Sequence, residues 1–359
     1  MSSDLERRLE AMFAEAPEPD PGAGEEALHR ALRALHPVAV SRRGLRTAVL
    51  AFATAIVLLV IAAGSLGAAG ALHVSFGTKP KKPPPTMQLT LPTGANGVAA
   101  ILDGRLSVVT DAGFRMQGLT VGAAALSPRA LFVAAGIRSS LVAIAPGGRR
   151  PWTHPAGGKV IAIAWAPDGY EIAYVVHAGR RFVLRMIYGN GRHDVVIDRS
   201  VRPVRPSWRA DSRAFAYVGA GGKAIVYDLG HLKHNVVGTT TPVTRVAFAP
   251  TGQKLVVATP DAVVLGGRTL VTGQIEALGW FGGHPAAALP GRVDAIVRSF
   301  GAHGRRVDDF SVPGKVVGFS GGLVVVRTPT RVLAGWRAKT VSTLLTVRRT
   351  TAVEDIAIG

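Results

Sequence analysis

The sequence predicts an all-β protein, a β-propeller of six or seven four-stranded blades, preceded by one transmembrane helix and a short helical tail. From Met87 onward, short runs of Val, Ile, Leu and Ala alternate with turns rich in Gly, Pro, Asp and Asn, which is typical of strands. Within this region a large side chain recurs about every forty residues, the length of one blade. Upstream, one long stretch is apolar and uncharged. The hydrophobic share of 48% excludes a chain that is disordered throughout.

Residues 1–46 are predicted to form a cytoplasmic helical tail. Two stretches of the tail carry apolar residues at helical spacing, with a proline-rich break between them: Leu5, Leu9, Met12 and Phe13, then Leu28, Leu32 and Leu35. Two such short helices cannot bury enough surface to be stable alone. Either they are a half-ordered leader, or they dock on a cytoplasmic partner. The second alternative resembles the layout of membrane-anchored anti-sigma regulators, although their zinc-finger His and Cys pattern is missing here.

Residues 47–72 are predicted to be a transmembrane helix that acts as a signal anchor. These twenty-six residues carry no charge, and at 1.5 Å rise per residue they reach roughly 39 Å, more than the ~30 Å hydrocarbon core needs. A cleaved signal peptide is the main alternative, since Ala69-Gly70-Ala71 resembles a cleavage site. The long segment before the apolar run argues against cleavage.

The orientation of this helix follows from the basic residues at its two ends. Those before it outnumber those after it: Arg30, Arg33, Arg42, Arg43 and Arg46 against Lys79, Lys81 and Lys82. The N-terminus is therefore expected in the cytoplasm and residues 73–359 outside. Residues 73–86 form a stiff Lys/Pro-rich spacer, and residues 87–359 are the expected extracytoplasmic propeller.

The repeat is marked by one large residue at the end of an apolar strand. It falls at Leu126, Trp165, Trp208, Phe248, Trp280 and Phe319, with spacings of 39, 43, 40, 32 and 39 residues. Six copies predict six blades, and the strand pattern from Val98 to Met116 makes seven the favoured number. The last apolar residues, 350–358, are expected to pair with the first blade and remove its open edge.

The best copy of the repeat runs from Trp165 to Tyr174 and resembles the W-S-P-D-G-x-x-I-A-Y repeat of TolB-like β-propellers, departing only at Ala166. The copy at Trp208 keeps Asp211 and a Phe-Ala-Tyr ending, and the copy at Phe248 keeps Pro250 and Gly252. The resemblance implies a propeller fold, and in that family the propeller is usually a binding scaffold of the cell envelope.

The motif residues are expected to have structural roles. The large residue should wedge between adjacent blades, while Asp168 with Gly169, Asp211 and Gly252 close tight turns. A role for Asp168 as a ligand or as a catalytic carboxylate is the alternative.

Catalytic, metal and cofactor sites are not predicted. The residues around Ser320 match the G-x-S-x-G pattern of a nucleophile elbow. However, a strand is predicted where the elbow needs a helix, and no His comes later in the chain. His231 and His234 lack a third convergent ligand. The chain has no Cys, which excludes thiolate chemistry and disulfides. An enzyme would require a polar cluster in the propeller channel.

Charge is the most informative functional feature. The part outside the membrane would hold thirty-five basic and fifteen acidic residues, so an acidic partner is expected. The turns predicted on one face carry Arg138, Lys159, Arg180, Arg181, Arg199, Arg202, Arg205 and Lys223. The opposite face is expected to hold a few arginines beside Asp168, Glu171, Asp211 and Asp228.

These features predict a non-catalytic binding or scaffold module for an anionic envelope polymer or lipid, or for another envelope protein. Charge reversal of Arg202 and Arg205 should weaken that binding. The alternatives are the anti-sigma type of regulator, a basic composition without any ligand and, least favoured, an enzyme. Nucleic acid is not expected outside the cell, and the oligomeric state is not predicted.

Overall fold

The computed structural model describes residues 89–358, apart from 93–94, 114, 302, 321, 338–339 and 348. The predicted tail, transmembrane helix and spacer, residues 1–86, lie outside the described residues. Within the described part of the chain, no helix has the length and apolar character needed to cross a bilayer.

Seven four-stranded antiparallel sheets make up the described chain. The first blade takes three strands from the beginning of the propeller and its inner strand from the end: Gly97–Leu102 (β1), Arg105–Thr110 (β2) and Arg115–Thr120 (β3), with Val353–Ile358 (β28) pairing to β1. The register places Val98 opposite Ile358 and Ala100 opposite Ile356. The expected closure by the C-terminal strand is therefore confirmed.

Each of the other six blades uses four consecutive strands, which run from the inner to the outer edge. Blades 2 to 4 contain Ala124–Leu126 (β4), Val133–Ile137 (β5), Ser140–Ile144 (β6), Trp152–Pro155 (β7), Lys159–Trp165 (β8), Glu171–Ala178 (β9), Arg181–Tyr188 (β10), Val195–Asp198 (β11), Ser207–Trp208 (β12), Ala214–Val218 (β13), Ala224–Asp228 (β14) and Lys233–Val237 (β15). Blades 5 to 7 contain Arg245–Phe248 (β16), Leu255–Ala258 (β17), Ala262–Leu265 (β18), Arg268–Thr272 (β19), Ala277–Phe281 (β20), His284–Leu289 (β21), Ala295–Phe300 (β22), Arg306–Val312 (β23), Lys315–Ser320 (β24), Leu323–Arg327 (β25), Arg331–Arg337 (β26) and Thr340–Thr346 (β27). Two single-turn 3₁₀ helices, Pro128–Ala130 and Pro146–Gly148, lie in turns of blade 2.

The blades form a closed ring. Each inner strand contacts the inner strand of the next blade, and β24 contacts β28, so that the seventh blade meets the first. Hydrophobic clusters fill the spaces between neighbouring blades; in one of them Ala173 and Val175 of blade 3 pack with Phe215 and Tyr217 of blade 4. The architecture is a seven-bladed β-propeller, which confirms the predicted propeller and the favoured blade number.

The predicted repeat residues occupy one structural position. All six lie at the last or penultimate position of an inner strand: Leu126, Trp165, Trp208, Phe248, Trp280 and Phe319. Blade 1 has the same position at Ile358, which follows Phe319 by another 39 residues. Sequence comparison missed this seventh copy because no turn motif follows Ile358.

Two of the three predicted tryptophan wedges also bond the preceding blade. The indole N–H of Trp208 donates to Ala164 O at 2.9 Å, and that of Trp280 donates to Ala247 O at 3.0 Å. Trp165 instead donates to Gly169 O in its own turn, at 3.0 Å, while its ring packs on the cluster between blades 2 and 3.

The turn roles of the motif residues are also visible. The carboxylate of Asp168 accepts the Tyr170 amide, and that of Asp211 accepts the Arg213 amide, each at 3.0 Å. Gly169 and Gly252 both have positive φ, at 86° and 76°, a region that disfavours other residues.

Candidate functional site

The ring has two faces with different connections. Because successive strands are antiparallel, the turns between second and third strands lie on the same face as the connections between blades. We call this the upper face, and the opposite one the lower face. All eight predicted binding residues lie on the upper face or at a strand end beside it: Arg138, Lys159, Arg180, Arg181, Arg199, Arg202, Arg205 and Lys223.

These eight residues form an arc over blades 2, 3 and 4, which we call the basic arc. Arg138 occupies the turn of blade 2, Arg180 that of blade 3, and Lys223 that of blade 4. Three arginines belong to the connection 199–206, between blades 3 and 4. The order of the strands therefore brings these eight cations to one side of the ring.

Backbone hydrogen bonds fix the connection 199–206 to blade 4. The Arg202 amide donates to Val218 O at 2.8 Å, and the Ala220 amide donates to Ser200 O at 3.0 Å. Val201, between them, forms a β-bridge with Gly219. The arginines of this segment therefore project from a pinned backbone rather than from a free loop.

A partly buried polar network supports the same connection from below. The Tyr217 hydroxyl donates to Asp198 Oδ2 at 2.9 Å and lies 2.8 Å from His234 Nδ1. Since the hydroxyl has one proton and the carboxylate only accepts, Nδ1 of His234 carries the proton of the second bond. Burial, and then the Asp198 carboxylate, raise the pKa of Tyr217 above its usual range. Asp198 is thereby committed to structure and leaves Arg199 unneutralised.

Most of the basic arc is exposed and unpaired. Seven of the eight side chains are exposed, and Arg202 is half-buried, with its guanidinium 3.1 Å from the position that a Cβ on Gly222 would take. Among the described residues, only Arg205 of the eight has an ion pair. The other seven cations are free to meet an anion from outside.

The partner of Arg205 lies across the ring. Its Nη1 is 3.3 Å from Oδ2 of Asp355, which belongs to β28 of blade 1, three blades away from the connection that carries Arg205. This ion pair therefore spans the mouth of the central channel on the upper face. Sequence reasoning missed it, because 150 residues separate the partners and no local pattern links them.

The lower face is more basic than the sequence analysis expected. Besides the predicted acidic residues, its turns expose Arg129, Arg149, Arg150, Arg192, Arg213, Lys254 and Arg305. Positive charge is thus not confined to one face. The expectation of only a few arginines was wrong because it considered the well-preserved motif turns and not the degraded ones.

The acidic groups of blade 3 serve the fold. Asp194, 6% exposed, accepts hydrogen bonds from Arg185, Tyr174 and His154. Burial opposes its ionisation, but the bonds from Arg185 and Tyr174 outweigh burial and lower the pKa of Asp194. Glu171 is different, because burial and the neighbouring Asp168 raise its pKa to about 7.

The Ser and His residues considered above as catalytic or metal-binding candidates make hydrogen bonds within the fold. The Ser320 hydroxyl accepts the Ile358 amide at 2.8 Å and donates to Ile358 O at 3.2 Å, which joins blades 7 and 1. A strand, not a helix, follows it. His231 lies 3.2 Å from Asp228, whereas His234 points to Tyr217. Across the described ranges, no three His, Cys, Asp or Glu side chains are grouped as a metal site would need.

A cleft of about 590 Å³ lies at the connection between blades 4 and 5. Its lining is rich in threonine: Gly238, Thr239, Thr240, Thr241, Thr259, Asp261, Ala262, Val264, Gly267, Thr269 and Thr272. Its only charged lining residue, Asp261, accepts the Thr259 hydroxyl at 2.8 Å. The cleft therefore offers hydroxyl groups rather than charge.

Comparison with solved structures gives likenesses at the level of the fold. TolB from Acinetobacter baumannii matches with a TM-score of 0.44 and 14% identity, over 62% of this chain and 67% of that one. U3-55K matches with a TM-score of 0.48 and 12% identity, over 64% and 82%. No protein-family model matches the chain, and no curated protein matches it. The propeller assignment follows from the seven sheets of the chain itself.

Proposed function

We propose that this protein is a non-catalytic binding module, anchored in the membrane by residues 47–72, whose propeller binds an anionic component of the cell envelope through the basic arc. The observation that carries this proposal is the set of seven cations, all exposed except the half-buried Arg202, without an ion-pair partner among the described residues. They stand on short turns or a pinned connection, so little conformational freedom is lost on binding.

The expected chemistry is multivalent attraction to phosphate or carboxylate groups. Guanidinium groups bind both in a bidentate manner, and five of the seven unpaired cations are arginines. Each exposed contact contributes little by itself, so affinity would arise from several at once and would fall as salt rises.

A face-specific charge reversal tests the proposal. The probe is inorganic polyphosphate, titrated into the full-length protein in detergent. Arg180→Glu with Arg181→Glu removes two cations of the arc, and Arg305→Glu with Lys254→Glu makes the same change of net charge on the lower face. We expect the first variant to lose at least tenfold in affinity and the second to lose less than threefold, by the usual contributions of charge-assisted contacts. Equal losses would contradict a site on the upper face.

The anchoring has its own test. Because the chain has no cysteine, Val293→Cys introduces a single thiol at an upper-face turn whose side chain is 87% exposed. If the propeller is extracytoplasmic, a membrane-impermeant maleimide should label this thiol in cells whose outer layer has been permeabilised and whose cytoplasmic membrane is intact. Labelling only after lysis would contradict that location.

A further inference from the structure

Exposed apolar side chains are concentrated at one lower edge of the ring. Four of the large apolar side chains with high exposure lie at the lower ends of blades 2 and 3: Leu131 at 54%, Phe132 at 38%, Tyr188 at 41% and Val195 at 43%. Four exposed arginines stand in the same turns or in the adjoining turn of blade 2: Arg129, Arg149, Arg150 and Arg192. We call these eight residues the lower patch.

The turn that presents Leu131 and Phe132 is held in an unfavourable backbone conformation. Arg129 and Ala130 are consecutive non-glycine residues with φ of 59° and 53°, and such conformations persist only where the surroundings impose them. Ala130 is buried against Gly97. A Cβ added to Gly97 would lie 2.5 Å from the Cβ of Ala130. The next two side chains are thereby directed outward.

Hydrogen bonds close the same turn. The Ser127 hydroxyl accepts the Phe132 amide at 2.8 Å, and the Ser127 amide donates to Phe132 O at 2.9 Å. Leu131 and Phe132 are therefore presented on a fixed turn rather than on a mobile loop.

The pieces of the lower patch adjoin one another. Val133 pairs with Ile144, so the turn ending at Phe132 lies beside the turn that holds Arg149 and Arg150. Trp152, which follows those arginines, donates to Gly189 O at 2.8 Å and packs on the hairpin of Arg192. The patch is continuous from blade 2 to blade 3.

The acidic side chains near the lower patch already have partners within the fold. The Asp194 carboxylate is buried with Arg185, and the Asp168 carboxylate, in the adjoining turn, accepts the Tyr170 amide. Among the described residues, the four arginines of the patch have no ion-pair partner.

We propose that the lower patch is a docking surface for an anionic lipid bilayer. Leu, Phe and Tyr side chains surrounded by arginines match the polarity of the headgroup region, where apolar side chains enter the acyl boundary and guanidinium groups reach the phosphates. Four side chains on one edge are too few for a standard protein interface of about 800 Å² per partner, whereas shallow insertion into a bilayer needs no complementary surface. This site lies on the face opposite the basic arc and does not depend on it.

A single-cysteine probe tests the docking. Leu131→Cys, labelled with an environment-sensitive fluorophore, replaces one apolar group of the patch by another, and labelled Val293→Cys is the matched upper-face control. The full-length protein is reconstituted into nanodiscs of phosphatidylcholine, with or without phosphatidylglycerol. We expect blue-shifted emission at position 131 and its quenching by spin-labelled lipid in the anionic discs, and neither effect at position 293.

Charge-neutralised variants distinguish lipid docking from a contact between proteins. Arg149→Gln with Arg150→Gln should reduce the ratio of docked to undocked protein, read from the quenching at position 131, by about fivefold per cation, with an unchanged circular dichroism spectrum. Equal emission at position 131 in both discs and in detergent would overturn the proposal. A shift that depends on protein concentration and not on lipid charge would also overturn it, in favour of a protein contact. Association of the protein with discs that lack phosphatidylglycerol tests the proposed transmembrane anchor separately.

Discussion

The tryptophans of the repeat differ in one hydrogen bond. Trp208 is almost buried and bonds Ala164 of the preceding blade, whereas Trp165 bonds its own turn and remains partly exposed. We expect Trp208→Phe to destabilise the protein by about 1 kcal/mol more than Trp165→Phe, because only the first leaves a carbonyl of another blade without its donor. Chemical unfolding of the two variants measures the difference. Equal losses would show that the indole ring, and not its N–H, joins the blades.

Glu171 gives the propeller a pH-dependent stability near neutrality. Burial raises its pKa from 4.5 to about 7 in the folded state, so the folded state keeps a proton that the unfolded state has released. This contribution is complete below pH 4.5 and is lost as the pH rises through 7.

We therefore expect Glu171→Gln to raise the melting temperature at pH 8 and to leave it unchanged at pH 4. Because the group is half exposed, solvent screening limits the gain to about 1 kcal/mol, or about 2–4 °C. Thermal unfolding at the two pH values measures it, and an equal gain at both would contradict the assignment to ionisation.

Among the elements, the C-terminal strand closes the ring, since β28 supplies the inner edge of blade 1 and contacts blade 7. Ile356 is buried in the cluster between these blades. Ile356→Ala should cost about 2–5 kcal/mol. The control Val236→Ala, at a side chain 58% exposed on an outer strand, should cost under about 0.5 kcal/mol. Similar losses in urea unfolding would argue against closure through β28.

The sequence predicted the inner strands well where a large side chain recurs at blade spacing. The large side chain at the strand end identified six inner strands, and the apolar C-terminus identified the closing strand. The sequence did not predict that Ile358 is the seventh copy, because the turn motif that marks the other copies does not accompany it. Strained turns such as Arg129 with Ala130 were also invisible, since their φ values arise from packing on another blade.

At the scale of the whole molecule, one acid competes with the proposed ligand. Asp355 reaches across the channel mouth to Arg205, and both side chains are more than a third exposed, so the pair is weak and accessible. Strand periodicity grouped the candidate cations by turn but could not indicate this partner, because ring closure alone brings Arg205 and Asp355 together.

We expect Asp355→Asn to tighten polyphosphate binding by about two- to fivefold, by the usual worth of an exposed ion pair. Asp294→Asn removes an exposed acid from another upper-face turn and should change the affinity less than about twofold. In an Arg205→Gln background the gain from Asp355→Asn should vanish. If the gain persists, Asp355 acts through the general field and not through Arg205.

Closure of a seven-bladed ring is the basis of both proposed surfaces, and one cross-link tests it directly. The Ala352 amide donates to the Asp103 carboxylate at 2.7 Å, and both residues are exposed on the upper face. In this cysteine-free chain, Asp103→Cys with Ala352→Cys should form an intramolecular disulfide under mild oxidation, detected by mass spectrometry, whereas Asp103→Cys with Val293→Cys should not. Free thiols or intermolecular links in the first variant would contradict a ring closed by its C-terminal strand.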